Sequence, residues 1–197
     1  MALKEYHQKR SFKHTPEPKG TRKSSRGKLG FVVQKHAATQ LHYDFRLELD
    51  GVLKSWSVPK GPSFDPSVKR LAMMTEDHPL DYANFEGVIP EDNYGAGQVI
   101  IWDGGTYGSI EKFETRAEEE KYLRQQFKKG DFKFSLDGQK LKGEFVLVKL
   151  KHDRWGKNAW LLIKHKDKYA STKDITKQDR SVVSGKRLED IKNDSKS

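Results

Sequence analysis

Hydrophobic and polar side chains alternate without a break from Gln40 to Leu49. Successive side chains of a β-strand point to opposite faces, so this alternation predicts a strand with one apolar face and one polar face. The apolar face can support a core, whereas the polar face is either solvated or part of a functional site. The apolar set consists of Leu41, Tyr43, Phe45, Leu47 and Leu49, and the polar set of Gln40, His42, Asp44, Arg46 and Glu48.

Further strand-like segments follow the same kind of pattern along the chain. Two of the turns between them carry the dipeptides Asp50-Gly51 and Asp137-Gly138, which are strong hairpin signals. About eight short strands separated by turn residues predict a mainly β protein, either a small barrel or a sandwich. A barrel could place the polar face along a cavity while the apolar face packs outward. The other predicted strands span residues 31–35, 52–58, 70–76, 97–103, 131–138, 140–150 and 159–165.

One helix is clear in the sequence, over about residues 116–129. Thr115 followed by Glu118 three residues later is a capping box, and Gly130 is a typical residue beyond a helix C-terminus. The predicted organisation is a basic, irregular arm at 1–28, a barrel domain at 29–166 and a polar, partly disordered tail at 167–197. A short helix is expected near residues 188–193.

Composition points to a polyanionic partner and limits the choice of metal ligands. The 197 residues have a formal net charge of +10, and residues 1–28 hold nine Lys or Arg but only two Glu. Such an arm favours nucleic acid as a partner, with a solubilising tail as the alternative. Because there is no cysteine, a metal would need nitrogen or oxygen ligands. No apolar run is long enough to span a bilayer and no signal peptide is evident, so we expect a cytoplasmic protein.

A cluster of metal-ligating residue types lies at the start of the alternating strand. His36, His42 and Asp44 offer three nitrogen or oxygen donors within nine residues, a set suited to Mn²⁺, Fe²⁺ or Zn²⁺. Arg46 follows on the same face, where a guanidinium could hold a phosphate beside a metal. The alternatives are ordinary surface or core histidines and a salt bridge of Arg46 with Asp44 or Glu48.

The sequence resembles a known family over about residues 5–191. The resemblance is carried by FVVQKHAATQLHYDFRLELDGVLKSWSVPKGPS, LAMMTEDHPLDYANFEGVIPEDNYGAGQVIIWDGGTY, KLKGEFVLVKL, WLLIKHKD and SVVSGKRLEDI. These segments are similar to the 3′-phosphoesterase domain of the bacterial end-joining DNA ligase D, and we expect a free-standing member of that family. The resemblance implies a small closed β-barrel with a polar concave active site. It also implies a manganese-dependent enzyme that removes a 3′-terminal ribonucleoside and then the 3′-phosphate, which leaves a 3′-hydroxyl.

The resemblance also implies roles for particular residues of this chain. The metal ligands would be His36, His42 and Asp44. The catalytic residues would be His78, Arg46, Tyr82, Glu76, Arg10 and Glu17, the last two being brought to the site by an N-terminal arm that folds back. The phosphate-binding residues would be Arg46, His78, Arg70, Lys60 and Gln34.

One position departs from the family pattern. The family commonly has Arg-Asp-Phe where this chain reads Arg10-Ser11-Phe12. Since a hydroxyl cannot replace the charge of a carboxylate, we expect Arg10 to be oriented less firmly and removal of the 3′-phosphate to be slow.

The implied partners are DNA primer-templates or duplex 3′ ends, including 3′-ribonucleotide ends. A separate DNA ligase, polymerase or Ku-type end-binding protein could act with this chain, near the prokaryotic nucleoid and away from membranes. The alternative function is a non-catalytic DNA-end-binding module that recruits a ligase or polymerase. A third possibility, metal-dependent chemistry on small molecules, is disfavoured by the charge of the arm. The two histidines and the aspartate favour an enzyme, because a binding module needs no such set.

Overall fold

The computed structural model describes residues 3–20, 27–151 and 156–192, which form one antiparallel sheet of nine strands with two α-helices. Eight strands close into a barrel in the order β1-β2-β3-β4-β9-β8-β7-β6, and β6 pairs back with β1. The predicted closed barrel is therefore confirmed. The strands are β1 Leu29–Ala37, β2 Leu41–Leu49, β3 Val52–Val58, β4 Lys69–Met74, β5 Gly87–Ile89, β6 Gly97–Gly108, β7 Asp131–Gly138, β8 Lys142–Lys149 and β9 Ala159–Lys164.

One strand, β5, was not predicted from the sequence. It has three residues and pairs with the start of β6 outside the closed barrel. Three residues are too few to show an alternating pattern, and the strand exists because β6 offers a free edge at that point.

The helix predicted near residues 116–129 is confirmed as α2, Arg116–Lys129. Thr115 and Glu118 form the reciprocal capping box, and Gly130 ends the helix with a φ of 78°. The arm was predicted to be irregular, and this is wrong for one short stretch, the helix α1, Lys4–Gln8. A five-residue helix has little stability of its own, and burial of Tyr6 against the barrel explains why it forms.

The barrel interior is filled by the apolar face of the strands. Phe45 of β2 lies 5.9 Å from Phe134 of β7, and Tyr43 of β2 lies 5.3 Å from Trp102 of β6, measured between ring centroids. These strands are not neighbours in the sheet, so the contacts cross the interior. The expectation that the apolar face packs outward is therefore wrong. An eight-stranded barrel has room inside for side chains and little else, so its apolar face turns inward.

A second, smaller cluster covers the outside of β1, β3 and β6. Tyr6 of the arm packs with Val32 and Ile101 on the outer face of the sheet, together with Tyr82 and Phe85 from the segment between β4 and β5. A 3₁₀ helix, Leu80–Asn84, carries part of this layer. The polar face of β2 consequently lies outside the barrel, beneath the arm and the 3₁₀ helix, where it can form a covered site.

The C-terminal segment runs along the barrel and forms short 3₁₀ helices at Ile175–Lys177 and Leu188–Asp190. Ile175 joins the main core, and the backbone amide of Val182 donates to the carbonyl of Ile101 at 3.0 Å. The described residues contain no helix with the length and hydrophobicity needed to cross a bilayer.

Candidate metal and phosphate site

Two adjacent strands bring the predicted metal donors together. His36 of β1 and His42 of β2 are register partners, and Asp44 lies two residues further along β2. Nδ1 of His36 is 3.4 Å from one carboxylate oxygen of Asp44, and Nε2 of His42 is 3.7 Å from the other. One donor atom from each residue lies within 4.8 Å of the others, so a single cation could reach all three.

Backbone carbonyls set the tautomers of both histidines. Nε2 of His36 lies 2.8 Å from the carbonyl oxygen of Gly95, and Nδ1 of His42 lies 2.9 Å from that of Gln40. A carbonyl can only accept, so each of these ring nitrogens must carry the proton. The remaining nitrogens, Nδ1 of His36 and Nε2 of His42, then present lone pairs toward Asp44. Such outer hydrogen bonds are typical of metal-ligating histidines, and the donor set fits a divalent transition metal.

Arg46 is fixed beside the aspartate by three hydrogen-bonding groups. Its Nη2 lies 3.1 Å from the Asp44 carboxylate, its Nη1 donates to the hydroxyl of Ser55 at 2.9 Å and its Nε donates to the amide oxygen of Gln34 at 2.8 Å. Burial disfavours the charged carboxylate, but the charge of Arg46 outweighs it and holds the pKa of Asp44 well below its ordinary value.

Gln34 lies behind the arginine and away from the cavity. Its side chain is fully buried, and its amide nitrogen donates to the backbone carbonyls of Tyr82 and Phe85 at 3.0 and 2.9 Å. With its amide oxygen bound to Arg46, the hydrogen-bonding groups of Gln34 are already occupied. This geometry suits a residue that positions Arg46 better than one that contacts phosphate directly.

His78 is buried between two guanidinium groups. Burial, followed by the charges of Arg46 and Arg10, lowers the pKa of His78 well below its ordinary value, so the ring is neutral at neutral pH. Its Nδ1 lies 2.9 Å from the carbonyl oxygen of Glu76 and must donate there. Its Nε2 therefore accepts, and Nη2 of Arg10 lies 3.2 Å away as the donor.

The arm folds back and places Arg10 inside the site. Its Nε is 2.8 Å from Glu17 and its Nη1 is 3.1 Å from Glu76, and the arginine side chain is only 3% exposed. The guanidinium carbon also lies 4.0 Å from the ring centroid of Tyr6, a cation–π contact. The hydroxyl of Tyr82 donates to Glu17 at 2.8 Å, so the glutamate connects the arm to the body of the protein.

The structure revises the expectation based on Ser11. Arg10 is held by two carboxylates and by the Tyr6 carbonyl, and these contacts owe nothing to the following residue. Ser11 is exposed, and its backbone carbonyl accepts from the amide of His14. Within the described residues, no side-chain hydrogen bond joins Ser11 to Arg10. The reason for expecting a loosely oriented arginine is therefore removed.

Lys60 and Arg70 are not brought to this cavity. Lys60 is exposed in the loop after β3. Arg70 pairs in register with Leu162 and shares a strand face with Ala72 and Met74, which pack in the barrel core. The basic arm residues at 22, 23 and 26 lie outside the described residues, so the structure assigns them no position.

The site encloses a cavity of about 320 Å³. Several residues that line this cavity were not predicted from the sequence. Ser57 of β3 alternates with Trp56 along the strand and could have been found from that pattern. Tyr94 and Gly95 come from a loop without any periodic signal. The cavity is lined by Arg10, His36, Ala38, His42, Asp44, Arg46, Ser57, Thr75, Glu76, His78, Tyr82, Ile89, Tyr94 and Gly95.

The chain is similar to proteins of one known family. The family described as DNA Ligase D 3′-phosphoesterase domain matches residues 34–149. The chain is 48% identical, over 94% of its length, to the multifunctional non-homologous end joining protein LigD of Pseudomonas aeruginosa. It is 46% identical over 78% of its length to the LigD protein of Mycobacterium tuberculosis, and 41% identical over 84% to that of Mycolicibacterium smegmatis.

The chain spans about a fifth of each of these relatives, 22%, 19% and 21% respectively. The family match includes His36, His42, Asp44 and Arg46 of the cavity but not Arg10, and it covers more than half of the chain. This chain therefore belongs to the DNA ligase D 3′-phosphoesterase domain family.

Proposed function

We propose that this protein is a divalent-metal-dependent phosphoesterase that repairs DNA 3′ ends, with Mn²⁺ as the preferred metal. It would remove a 3′-terminal ribonucleoside from a primer strand and then remove the remaining 3′-phosphate, leaving a 3′-hydroxyl. The observation that carries this proposal is the position of three metal donors beside two buried arginines and a neutral histidine, all facing one cavity. A module that only bound DNA ends would not need this arrangement.

The metal would be held by His36, His42 and Asp44. When bound, such a cation polarises a phosphoryl oxygen and lowers the pKa of a bound water. The adjacent Arg46 cannot leave its place easily, because Gln34 and Ser55 hold two of its nitrogens. Its third nitrogen now lies on Asp44, and it can donate to a phosphate oxygen once that carboxylate is shared with a cation.

His78 is suited to moving a proton. It is neutral, and its Nδ1–H is held by the Glu76 carbonyl, which leaves Nε2 as the reactive nitrogen. Nη2 of Arg10 occupies this lone pair in the structure. If Arg10 turns toward a substrate phosphate, Nε2 becomes free to exchange a proton with an attacking water or a leaving oxygen.

The two steps place different demands on the positive groups. The diester carries one negative charge, whereas a terminal phosphate carries nearly two at neutral pH. Arg10 is the additional positive group that the second step requires. Glu17 and Glu76 hold it in place, and Tyr82 in turn holds Glu17.

The proposed substrates are primer-template and duplex 3′ ends, including those with a terminal ribonucleotide. The named relatives act in non-homologous end joining. We propose the same setting here, in the cytoplasm near the nucleoid, with a ligase, a polymerase or a Ku-type end-binding protein as possible partners. Lys60, which is exposed, could contact a more distant part of the substrate, outside the cavity.

A labelled primer with one 3′-terminal ribonucleotide tests the proposal. We expect incubation with Mn²⁺ to convert it first to a 3′-phosphate and then to a 3′-hydroxyl end, as resolved on a denaturing gel. A primer that already ends in a deoxynucleotide 3′-hydroxyl is the control and should not change. Tight binding to both primers without conversion, under every divalent metal tested, would favour the non-catalytic end-binding module instead.

A further inference from the structure

A second concave surface, with a volume of about 690 Å³, lies where β7 begins and β8 ends. We call it the lysine groove, after its four exposed lysines: Lys129, Lys149, Lys151 and Lys157. The lining residue that carries a negative charge, Asp131, is paired with Lys133 at 3.3 Å. Within the described part of the chain, no carboxylate lies within ion-pair distance of the four lysines. The positive charge of the four lysines is therefore not neutralised by any carboxylate of the described residues.

The end of α2 explains only part of this charge. Lysines in the last turn of a helix interact favourably with the helix dipole, and this accounts for Lys129. The other three belong to the end of β8 and to the connection between β8 and β9. They come together because the backbone amide of Lys149 donates to the carbonyl of Gly130 at 2.8 Å, which joins β8 to the helix end.

The groove adjoins the metal and phosphate cavity through the pairing of β4 with β9. Met73 pairs with Ala159, and the amide of Met74 donates to the carbonyl of Asn158 at 2.8 Å. The next residue along, Thr75, lines the cavity, whereas Lys157 precedes Asn158 and lines the groove. Neighbouring strands are about 4.8 Å apart, so the two surfaces meet at the edge formed by β4 and β9.

We infer that the lysine groove binds the sugar–phosphate backbone of the substrate, a few nucleotides upstream of the reacting 3′ end. This inference rests on the proposed function, which places the terminal phosphate in the cavity. Each DNA strand carries one phosphate per about 3.4 Å of helix axis, so a strand that leaves the cavity across β4 reaches the groove within a few nucleotides. Lysine binds phosphate as a point charge without reading sequence, which suits an enzyme that must accept any DNA end.

Salt dependence of binding measures this contact directly. Each neutralised phosphate contributes about 0.9 to the slope of log affinity against log salt concentration. If all four lysines contact phosphates, replacing them should reduce the slope by about 3 to 4. The loss of affinity should be largest at low salt and should fade as the salt concentration rises.

The binding experiment compares two variants with the same change in charge. The groove variant replaces Lys129, Lys149, Lys151 and Lys157 with alanine, and the control replaces the exposed lysines Lys112, Lys121, Lys166 and Lys168. Anisotropy of a labelled duplex that ends in a 3′-hydroxyl is measured with Mn²⁺ between 50 and 200 mM salt, so that no turnover occurs. We expect the slope of log affinity against log salt concentration to fall by about 3 to 4 in the groove variant and by less than about 1 in the control. Equal slopes in the two variants would overturn the inference.

A turnover experiment separates this inference from the proposed function. A 3′-phosphorylated dinucleotide is too short to reach the groove, whereas a long duplex with a 3′-phosphate can occupy both surfaces. We expect the groove variant to lose at least tenfold in kcat/KM on the duplex and less than twofold on the dinucleotide. Equal losses on both substrates would contradict the groove, and the absence of wild-type turnover on both would contradict the proposed function. If the fourfold variant does not fold, Lys149→Glu and Lys157→Glu are compared with Lys121→Glu.

Discussion

The two halves of the cavity are built in different ways. The metal donors come from β1 and β2, which are joined by a short turn, so His36, His42 and Asp44 lie within nine residues. The other half, which we call the arm half, joins Arg10 and Glu17 of the arm to Glu76 and Tyr82, which are more than fifty positions away in the sequence. Its strongest contacts are the buried ion pairs of Arg10. The metal half is therefore fixed by strand register, whereas the other half exists only while the arm is docked.

This difference suggests that the two halves can be perturbed separately. The barrel strands place the metal donors, and both histidines are oriented by hydrogen bonds that they donate to backbone carbonyls outside the arm, those of Gly95 and Gln40. The arm half depends on Glu17 and Glu76, because both carboxylates accept hydrogen bonds from the guanidinium of Arg10. A change in the metal half should abolish both reaction steps, while a change in the arm should leave metal binding intact.

The largest effect is expected from His42→Ala. Mutation of outer hydrogen-bond partners typically lowers metal affinity about 10- to 100-fold, and loss of a ligand should exceed that. We expect Mn²⁺ affinity, measured by calorimetric titration, to fall by more than about 100-fold, with both reaction steps nearly abolished. His165→Ala is the matched control, since His165 lies beside Glu144 on the far side of the barrel. His152, another histidine expected to have no role, lies outside the described residues. Wild-type turnover by the His42 variant under saturating Mn²⁺ would refute the ligand assignment.

A smaller and selective effect is expected from Arg10→Lys. Lysine keeps the charge but cannot contact Glu17, Glu76 and His78 together through a planar fork. We expect removal of the 3′-phosphate to slow by roughly 10- to 100-fold, because that step binds the more highly charged group. Removal of the ribonucleoside should slow less.

The measurement is a gel time course that resolves ribonucleotide, 3′-phosphate and 3′-hydroxyl ends, together with a Mn²⁺ titration. Accumulation of the 3′-phosphate with unchanged Mn²⁺ affinity would support the division of the cavity into two halves. A parallel loss of both steps, or a weaker metal site, would show that the arm also organises the metal half.

Local patterns in the sequence predicted a mainly β fold and the grouping of the metal donors, whereas the choice of a closed barrel over a sandwich came from the family resemblance. The alternation along β2 placed His42, Asp44 and Arg46 on one face, and the short link from β1 placed His36 beside them. The same pattern misassigned the inner and outer faces, since alternation does not say which side a barrel encloses. The inner face could be identified only from the structure, in which Phe45 packs against Phe134 across the barrel interior.

The arm half carried no local signal. Nothing in the order of residues around Arg10 indicates that it pairs with Glu76, and only the family resemblance suggested that the arm folds back. The lysine groove was also missed, because its charges come from a helix end and a strand connection that are distant in sequence.

The docked arm should respond to acid through Glu76. Burial opposes ionisation of this residue, but hydrogen bonds from its own backbone amide, Arg10 and Lys9 lower the pKa below its ordinary value. Its stabilising contribution is therefore fully present above about pH 4.5, the value for an unpaired glutamate, and is lost as the pH falls through the folded-state pKa. We expect Glu76→Gln to lower the free energy of unfolding by about 1 to 2 kcal/mol at pH 6.

Urea denaturation of both proteins between pH 6 and pH 3 tests this assignment. The gap in stability between wild type and Glu76→Gln should narrow as the pH falls, because the wild-type carboxylate becomes protonated while the glutamine does not change. Carboxylates that share neither Arg10 nor Lys9 with Glu76, Asp44 included, titrate in both proteins and cancel in the difference. A gap that stays constant across this range would show that the charge of Glu76 does not contribute.

The smallest effect is expected from Ser11→Asp, which introduces the acid that the family resemblance implies at this position. If that acid oriented Arg10, the substitution would speed removal of the 3′-phosphate. In this structure, however, Glu17 and Glu76 already hold the guanidinium, and Ser11 is exposed. An added carboxylate at an exposed position typically changes stability by less than about 0.5 kcal/mol. We therefore expect both steps to stay within about twofold of wild type, and Ser11→Asn separates the charge of the new side chain from its size. Faster loss of the 3′-phosphate with aspartate, but not with asparagine, would show that Arg10 takes a further partner when substrate is bound and that the arm half is assembled only in part before the DNA arrives.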